Sequence, residues 1–237
     1  MRGPELFVMG AMAATLCACG QAPVAAGGES GADSRTIQAG ETGEAAVTET
    51  IPVIVFLGDS LTAGYQLAPG AALPAAIQRR FDRDGVKARL VNAGVSGDTT
   101  ADGLNRYDFS VAGSGADLLV VALGANDFLN NFPPETARKN LAAILSRAKS
   151  DGLPAVLLGI AVPDRAVGLS PHEAAYARIY PEVAAEFGVP YHADLLGAVA
   201  GKPEFLQPDG VHPTAAGVEA MAESLAEFLE PVIAGLE

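Results

Sequence analysis

Three runs in this chain, Pro52–Leu57 (PVIVFL), Asp117–Leu123 (DLLVVAL) and Ala155–Ala161 (AVLLGIA), are apolar almost throughout. They lack the alternation of a half-buried strand, so both of their faces must be covered. Strands of that kind form parallel sheets, because the crossovers that parallel pairing requires lay helices on both faces. The intervals supply those helices. Ala71–Arg83 reads as helical and stops near Gly85, and Pro134–Ser150 carries Leu141, Ile144, Leu145 and Ala148 on one face. His172–Phe187 is helical up to Gly188, and the last helix starts near Pro213 with Val218, Met221, Ala222, Leu225, Leu229 and Val232 in register. Lys87–Ala93 and Val189–Asp194 are two further strand candidates, and Thr99–Tyr107 is a short helix. The expectation is a three-layer α/β/α sandwich around a mostly parallel five-stranded sheet, with its ligand at the carboxyl ends of the strands.

Composition agrees with one sizeable core. Apolar residues make up 49% of the 237 positions and charged residues 18%. With 28 acidic and 15 basic residues the formal charge is −13, which argues against a polyanionic partner such as nucleic acid. Both cysteines, Cys17 and Cys19, lie near the start, so an intradomain disulfide and a thiolate-bound zinc are excluded from the body.

The first residues read as an address. Leu6–Leu16 is an apolar run of signal-peptide length, too short to span a bilayer. Leu16-Cys17-Ala18-Cys19 resembles a bacterial lipobox, which implies cleavage before Cys19 and its lipidation. Residues 1–18 are therefore expected to be a signal peptide. Residues 19–50 are a lipidated cysteine and a Gly/Ala/Glu-rich tether, and residues 51–237 are the folded domain, held at the bacterial cell envelope.

Polar loops stand where chemistry is expected. Gly58-Asp59-Ser60-Leu61 follows the first strand directly and exposes a serine hydroxyl at a strand-to-helix turn. Asn92–Thr100 (NAGVSGDTT) ends the second strand. There Gly97 can present a bare N–H to a developing oxyanion, while Asp98 or Thr99 caps the next helix. Gly124-Ala125-Asn126-Asp127 follows the third strand, where the Asn126 amide donates to the same oxyanion or closes a turn. In Asp209-Gly210-Val211-His212 the spacing lets a carboxylate reach the imidazole and set its tautomer.

These blocks, GDSLTAGYQL (58–67), NAGVSGDTTADGLNR (92–106), GANDF (124–128) and DGVHPTAAG (209–217), resemble in order those of the SGNH (GDSL) hydrolases. The similarity is greatest to the bacterial arylesterase, acyl-CoA thioesterase and lysophospholipase branch. The resemblance implies Ser60 as nucleophile, His212 as base and then acid, and Asp209 as its orienting group. It also implies an oxyanion hole of Gly97, Asn126 and the Ser60 N–H. The substrate would be a small acyl ester, thioester or lysophospholipid, cleaved without metal or cofactor. Phe128 stands where that branch has a small residue, and 162–171 departs from its usual loop, so both bear on acyl-chain length. A carbohydrate acetyl esterase of envelope polysaccharide and a non-catalytic lipid- or wall-binding lipoprotein are the competing readings. His172 and His192 lack ligand company, Arg79, Arg80 and Arg83 read as a solvated basic face, and no phosphate-binding glycine loop occurs.

Overall fold

The computed structural model describes residues 50–160 and 169–236. The expected signal peptide, Cys17, Cys19 and nearly all of the tether lie outside the described residues, as do positions 162–168 of the departing loop.

Five parallel strands form one sheet: β1 (Val53–Gly58), β2 (Arg89–Gly94), β3 (Leu118–Ala122), β4 (Ala155–Leu158) and β5 (Tyr191–His192), in the order β2-β1-β3-β4-β5. The continuous apolar runs have the expected cause. Ile54 and Phe56 of β1 face a cluster with Leu73, Ile77 and Phe81 of α2 (Leu73–Asp84) and with Met221, Leu225 and Leu229 of α7 (Ala215–Ala234). Val55 and Leu57 face the opposite cluster, with Leu141 and Ile144 of α5 (Pro134–Ser150) and with Tyr176, Ile179 and Val183 of α6 (Pro171–Phe187). Successive side chains point to opposite faces, so a strand between two helical layers must be apolar at every position. The remaining α-helices among the described residues are short: α1 (Ser60–Ala63), α3 (Thr100–Asn105) and α4 (Ala125–Leu129). All three begin immediately after strands or their loops, at the carboxyl edge of the sheet.

Several boundaries moved for local reasons. The fifth strand was expected over Val189–Asp194, but only Tyr191 and His192 pair, on one side, with β4. The adjacent Pro190 has no N–H to offer a ladder, which shortens such an edge strand. The last helix begins at Ala215 rather than at Pro213. Pro213 is instead bridged to Leu206, and the Thr214 side chain caps the helix by accepting from the Gly217 N–H at 3.2 Å. The basic cluster on α2 lies at the solvated surface, as expected, and there it carries ion pairs. Arg79 bonds Glu219, and Arg80 bonds both Asp84 and Glu223, so charged pairs line the α2–α7 contact.

The strand order sets up the site. From β1 the chain passes to β2 on one side, and β3 lies on the other. The loops leaving β1 and β3 therefore diverge and open a crevice at the carboxyl edge, the usual ligand position in such sheets. Ser60 follows β1 and Asn126 follows β3.

Candidate active site

The turn that carries Ser60 is built by close packing. A Cβ on Gly94, at the end of β2, would lie 2.5 Å from the Ala63 nitrogen and 2.9 Å from the Asp59 oxygen. Glycine is thus needed for β2 to lie against the turn that carries Ser60. Asp59 caps α1 by accepting from the Leu61 N–H at 3.0 Å, and Ser60 opens the helix.

Ser60 Oγ lies 2.9 Å from His212 Nε2, and His212 Nδ1 lies 2.8 Å from Asp209 Oδ2. The three residues predicted from two loops 149 to 152 positions apart are therefore joined in one hydrogen-bonded line. Asp209 Oδ1 also accepts from the backbone N–H groups of Val211 (2.9 Å) and His212 (3.0 Å). These bonds, with that to the imidazole, hold the Asp209 carboxyl down to about 2, so it stays ionised across the ordinary assay range. Two further groups steady the histidine loop, and neither was foreseen. The Tyr65 ring lies 4.4 Å from that of His212, centroid to centroid, and the Gln207 amide donates to the carbonyls of Tyr65 and Pro213.

The expected oxyanion donors take a more varied form. Asn126 borders the same cavity as Ser60 and His212, and one hydrogen of its amide is committed to the Asp98 carbonyl at 2.8 Å. Its second amide hydrogen is available for a substrate oxygen. That bond joins the third loop to the second rather than closing a turn within Gly124–Asp127. Gly97 sits at φ +91° in a turn closed by the Asp98 N–H on the Val95 carbonyl. A left-handed φ favours glycine at this position. Of the two capping candidates, Thr99 caps α3, in a reciprocal box with Asp102, whereas Asp98 pairs with Arg106. Asp127, assigned no role from sequence, is buried and accepts from the Thr100 N–H (2.8 Å) and hydroxyl (2.6 Å), tying the second loop to the third.

A cavity of about 530 Å³ opens beside Ser60, Asn126 and His212. Its walls are mostly apolar, among them Leu61, Phe128, Leu129, Leu196, Val199 and Leu206. Phe128 does not plug this space. Its ring stacks on His172 at 5.6 Å and meets Tyr176 edge-on at 5.4 Å, so it stands as a wall. His172 belongs to that aromatic packing, and His192 packs against Phe228. Among the described residues no cluster of three metal-ligating side chains occurs, and no helix is long and apolar enough to cross a membrane.

Asp59 is the second acidic group of note. Burial, with Asp98 and Asp127 adding to it, pushes its carboxyl up to about 6 from 3.8. A carboxyl whose folded value is raised stabilises the folded state relative to its ionised form only at low pH; that contribution fades as pH rises through about 4 to 6. The full penalty is about 3 kcal/mol, of which about 2 kcal/mol develops between pH 4.5 and 7.5. Asp59→Asn is therefore expected to gain about 2 kcal/mol on the wild type between those pH values, measured by urea unfolding. An unchanged stability difference at the two pH values would contradict a buried, ionised Asp59.

The sequence profile of the GDSL-like Lipase/Acylhydrolase family matches residues 56–220. The Escherichia coli protein "Thioesterase 1/protease 1/lysophospholipase L1" is 34% identical over 192 residues, covering 81% of this chain and 88% of that protein. The esterase TesA of Pseudomonas aeruginosa is 33% identical over 184 residues, covering 76% and 89%. The crystal structure of AlinE4, described as an SGNH-hydrolase family esterase, superposes with a TM-score of 0.63 at 37% identity, covering 78% of this chain and 96% of that one.

Proposed function

Since the chain belongs to the GDSL-like lipase/acylhydrolase family and is a carboxylic-ester hydrolase, we propose that it cleaves acyl esters and thioesters of apolar chains through an acyl-enzyme on Ser60. The observation that carries this reading is the Ser60–His212–Asp209 line opening onto the apolar cavity. His212 Nε2 takes the Ser60 proton as Oγ attacks the carbonyl carbon. Asp209 holds the proton on Nδ1, which leaves Nε2 as the acceptor and steadies the imidazolium. The carbonyl oxygen becomes an alkoxide facing the second Asn126 amide hydrogen and the N–H groups of Gly97 and Ser60. His212 then protonates the leaving alcohol or thiol, and the acyl chain stays in the cavity. Water, deprotonated by the same imidazole, releases the acid and restores Ser60.

The walls favour acyl chains over sugars. A polysaccharide acetyl esterase has to hold hydroxyl-rich rings, which calls for several polar side chains around the ester, whereas beyond Ser60, Asn126 and His212 these walls offer Asp194, one of whose oxygens takes the Leu196 N–H, among mostly apolar neighbours. Lysophospholipids, aryl esters and acyl thioesters all present a single chain to such a wall. With p-nitrophenyl esters from acetate to palmitate, kcat/KM is expected to peak at medium chains rather than at either end of the series. A fluorophosphonate should label the peptide that contains Ser60 and stop turnover. Labelling elsewhere, or a preference confined to acetate, would overturn the proposal.

A further inference from the structure

We propose that Arg106 is a positioning residue for the oxyanion hole, holding the nucleophile turn, the Gly97 loop and Asn126 in register through one guanidinium. This inference rests on the serine mechanism above and goes beyond it. The three proposed oxyanion donors lie at positions 60, 97 and 126, on three separate connections, and nothing in the chain's connectivity sets their mutual distances. The sheet ladder ends its control at Gly58 opposite Gly94. Beyond that point the Val95 N–H still reaches the Gly58 carbonyl and Asp127 holds Thr100, and Arg106 is the side chain that reaches both the nucleophile turn and the Gly97 loop.

Its contacts name the task. Nη2 donates to the carbonyl of Gly58, two residues before Ser60, at 2.8 Å. Nε donates to the carboxylate of Asp98, next to Gly97, at 2.5 Å. Nη1 donates to Ser110 Oγ at 3.0 Å. The grip extends one step further, because the Asp98 carbonyl is the group that holds the Asn126 amide. A planar fork with fixed donor directions suits this, since it ties a carbonyl and a carboxylate from different loops in one plane. Both partners of the ion pair are largely shielded, with side-chain exposures of 18% and 12%, so the interaction is weakly screened by solvent.

The charge matters as well as the geometry. Asp59, Asp98 and Asp127 all stand near the site, and ester attack adds another negative charge there. Arg106 neutralises Asp98, the carboxylate closest in sequence to the proposed Gly97 donor. Unpaired, Asp98 would repel the alkoxide at short range. The helical role of position 106 is separate: its backbone N–H closes α3 on the Asp102 carbonyl, a bond that any non-proline side chain preserves.

The test separates transition-state from ground-state binding. Arg106→Gln is expected to lower kcat about 10- to 100-fold with KM changed less than about threefold, the size of effect that a small misplacement of catalytic groups produces. An alkyl trifluoromethyl ketone, which adds to serine and presents an oxyanion, should lose affinity in the same proportion. The matching alkyl methyl ketone, which fills the acyl cavity without forming a stable adduct, should bind as to wild type. Arg106→Lys, keeping the charge but not the fork, should fall between the two proteins, and serves alongside Asp98→Asn if Arg106→Gln does not fold. The inference is overturned if the fluoroketone binds all variants as it binds wild type, or if both ketones weaken together. It is a different result if the fluoroketone fails on wild type or does not require Ser60: the serine reading itself then falls.

Discussion

Replacing Ser60 by alanine is expected to lower kcat/KM by about 10⁴-fold or more, the loss seen when a serine nucleophile is removed from a working triad. Ser60 Oγ is the hydroxyl bonded to His212 Nε2. Thr62, two residues on, cannot stand in, because it is fully buried and its Oγ1 lies close to the position a Gly58 side chain would occupy. The variant should keep its fold, since the change removes one hydrogen bond at the edge of the cavity and leaves the Asp59 cap intact. Residual hydrolysis above the uncatalysed rate is expected from the oxyanion donors and the pocket, which remain in place. The measurements are steady-state p-nitrophenyl ester hydrolysis and a thermal unfolding curve. A folded Ser60→Ala protein working within tenfold of wild type would end the acyl-enzyme mechanism.

Asp209→Asn should cost about 10³- to 10⁴-fold in kcat while barely changing stability. The reason lies in how Asp209 divides its two oxygens. Oδ1 accepts the backbone N–H groups of Val211 and His212, and an asparagine oxygen can keep both. Oδ2 faces His212 Nδ1 at 2.8 Å, and an amide nitrogen there is a donor. His212 must then carry its proton on Nε2, which points an N–H at Ser60 and removes the base. The loop stays shaped and the tautomer is wrong. Asp209 is half-exposed, so its through-space stabilisation of the imidazolium is screened by water, and the tautomer carries most of the effect. Activity in Asp209→Asn within tenfold of wild type, at an unchanged melting temperature, would reduce Asp209 to a loop-building residue.

Much of this protein is written in local sequence. The apolar runs at β1, β3 and β4 dictate a sheet covered on both faces, and the alternation with α2, α5, α6 and α7 dictates its parallel pairing. Ser60, Gly97, Asn126 and His212 are legible because each stands in a loop at the active edge, three of them directly after a strand. What sequence missed is long-range and carried by side chains. Arg106 lies inside a quoted block, yet its partner Gly58 is 48 residues away, and no periodicity or spacing records that bond. Gln207 reaches Tyr65 across 142 residues, and Tyr65 covers a histidine further on still. Helix α4 was also missed, since Ala125–Leu129 is too short to show a hydrophobic period.

Phe128 shows the same division. Sequence placed a large aromatic residue beside the acyl pocket, where it could have closed the space. Its ring packs against His172 and Tyr176, contributed by α6 more than 40 residues on. That stack turns the ring into a wall and leaves about 530 Å³ open. By itself, then, the sequence determined the layered fold and named the candidate residues for the chemistry, because burial periodicity and strand-end loops are local properties. The tertiary structure alone decided whether those residues meet, how the proposed oxyanion loops are held together and how much room the cavity leaves. Those depend on distances between segments that are far apart along the chain.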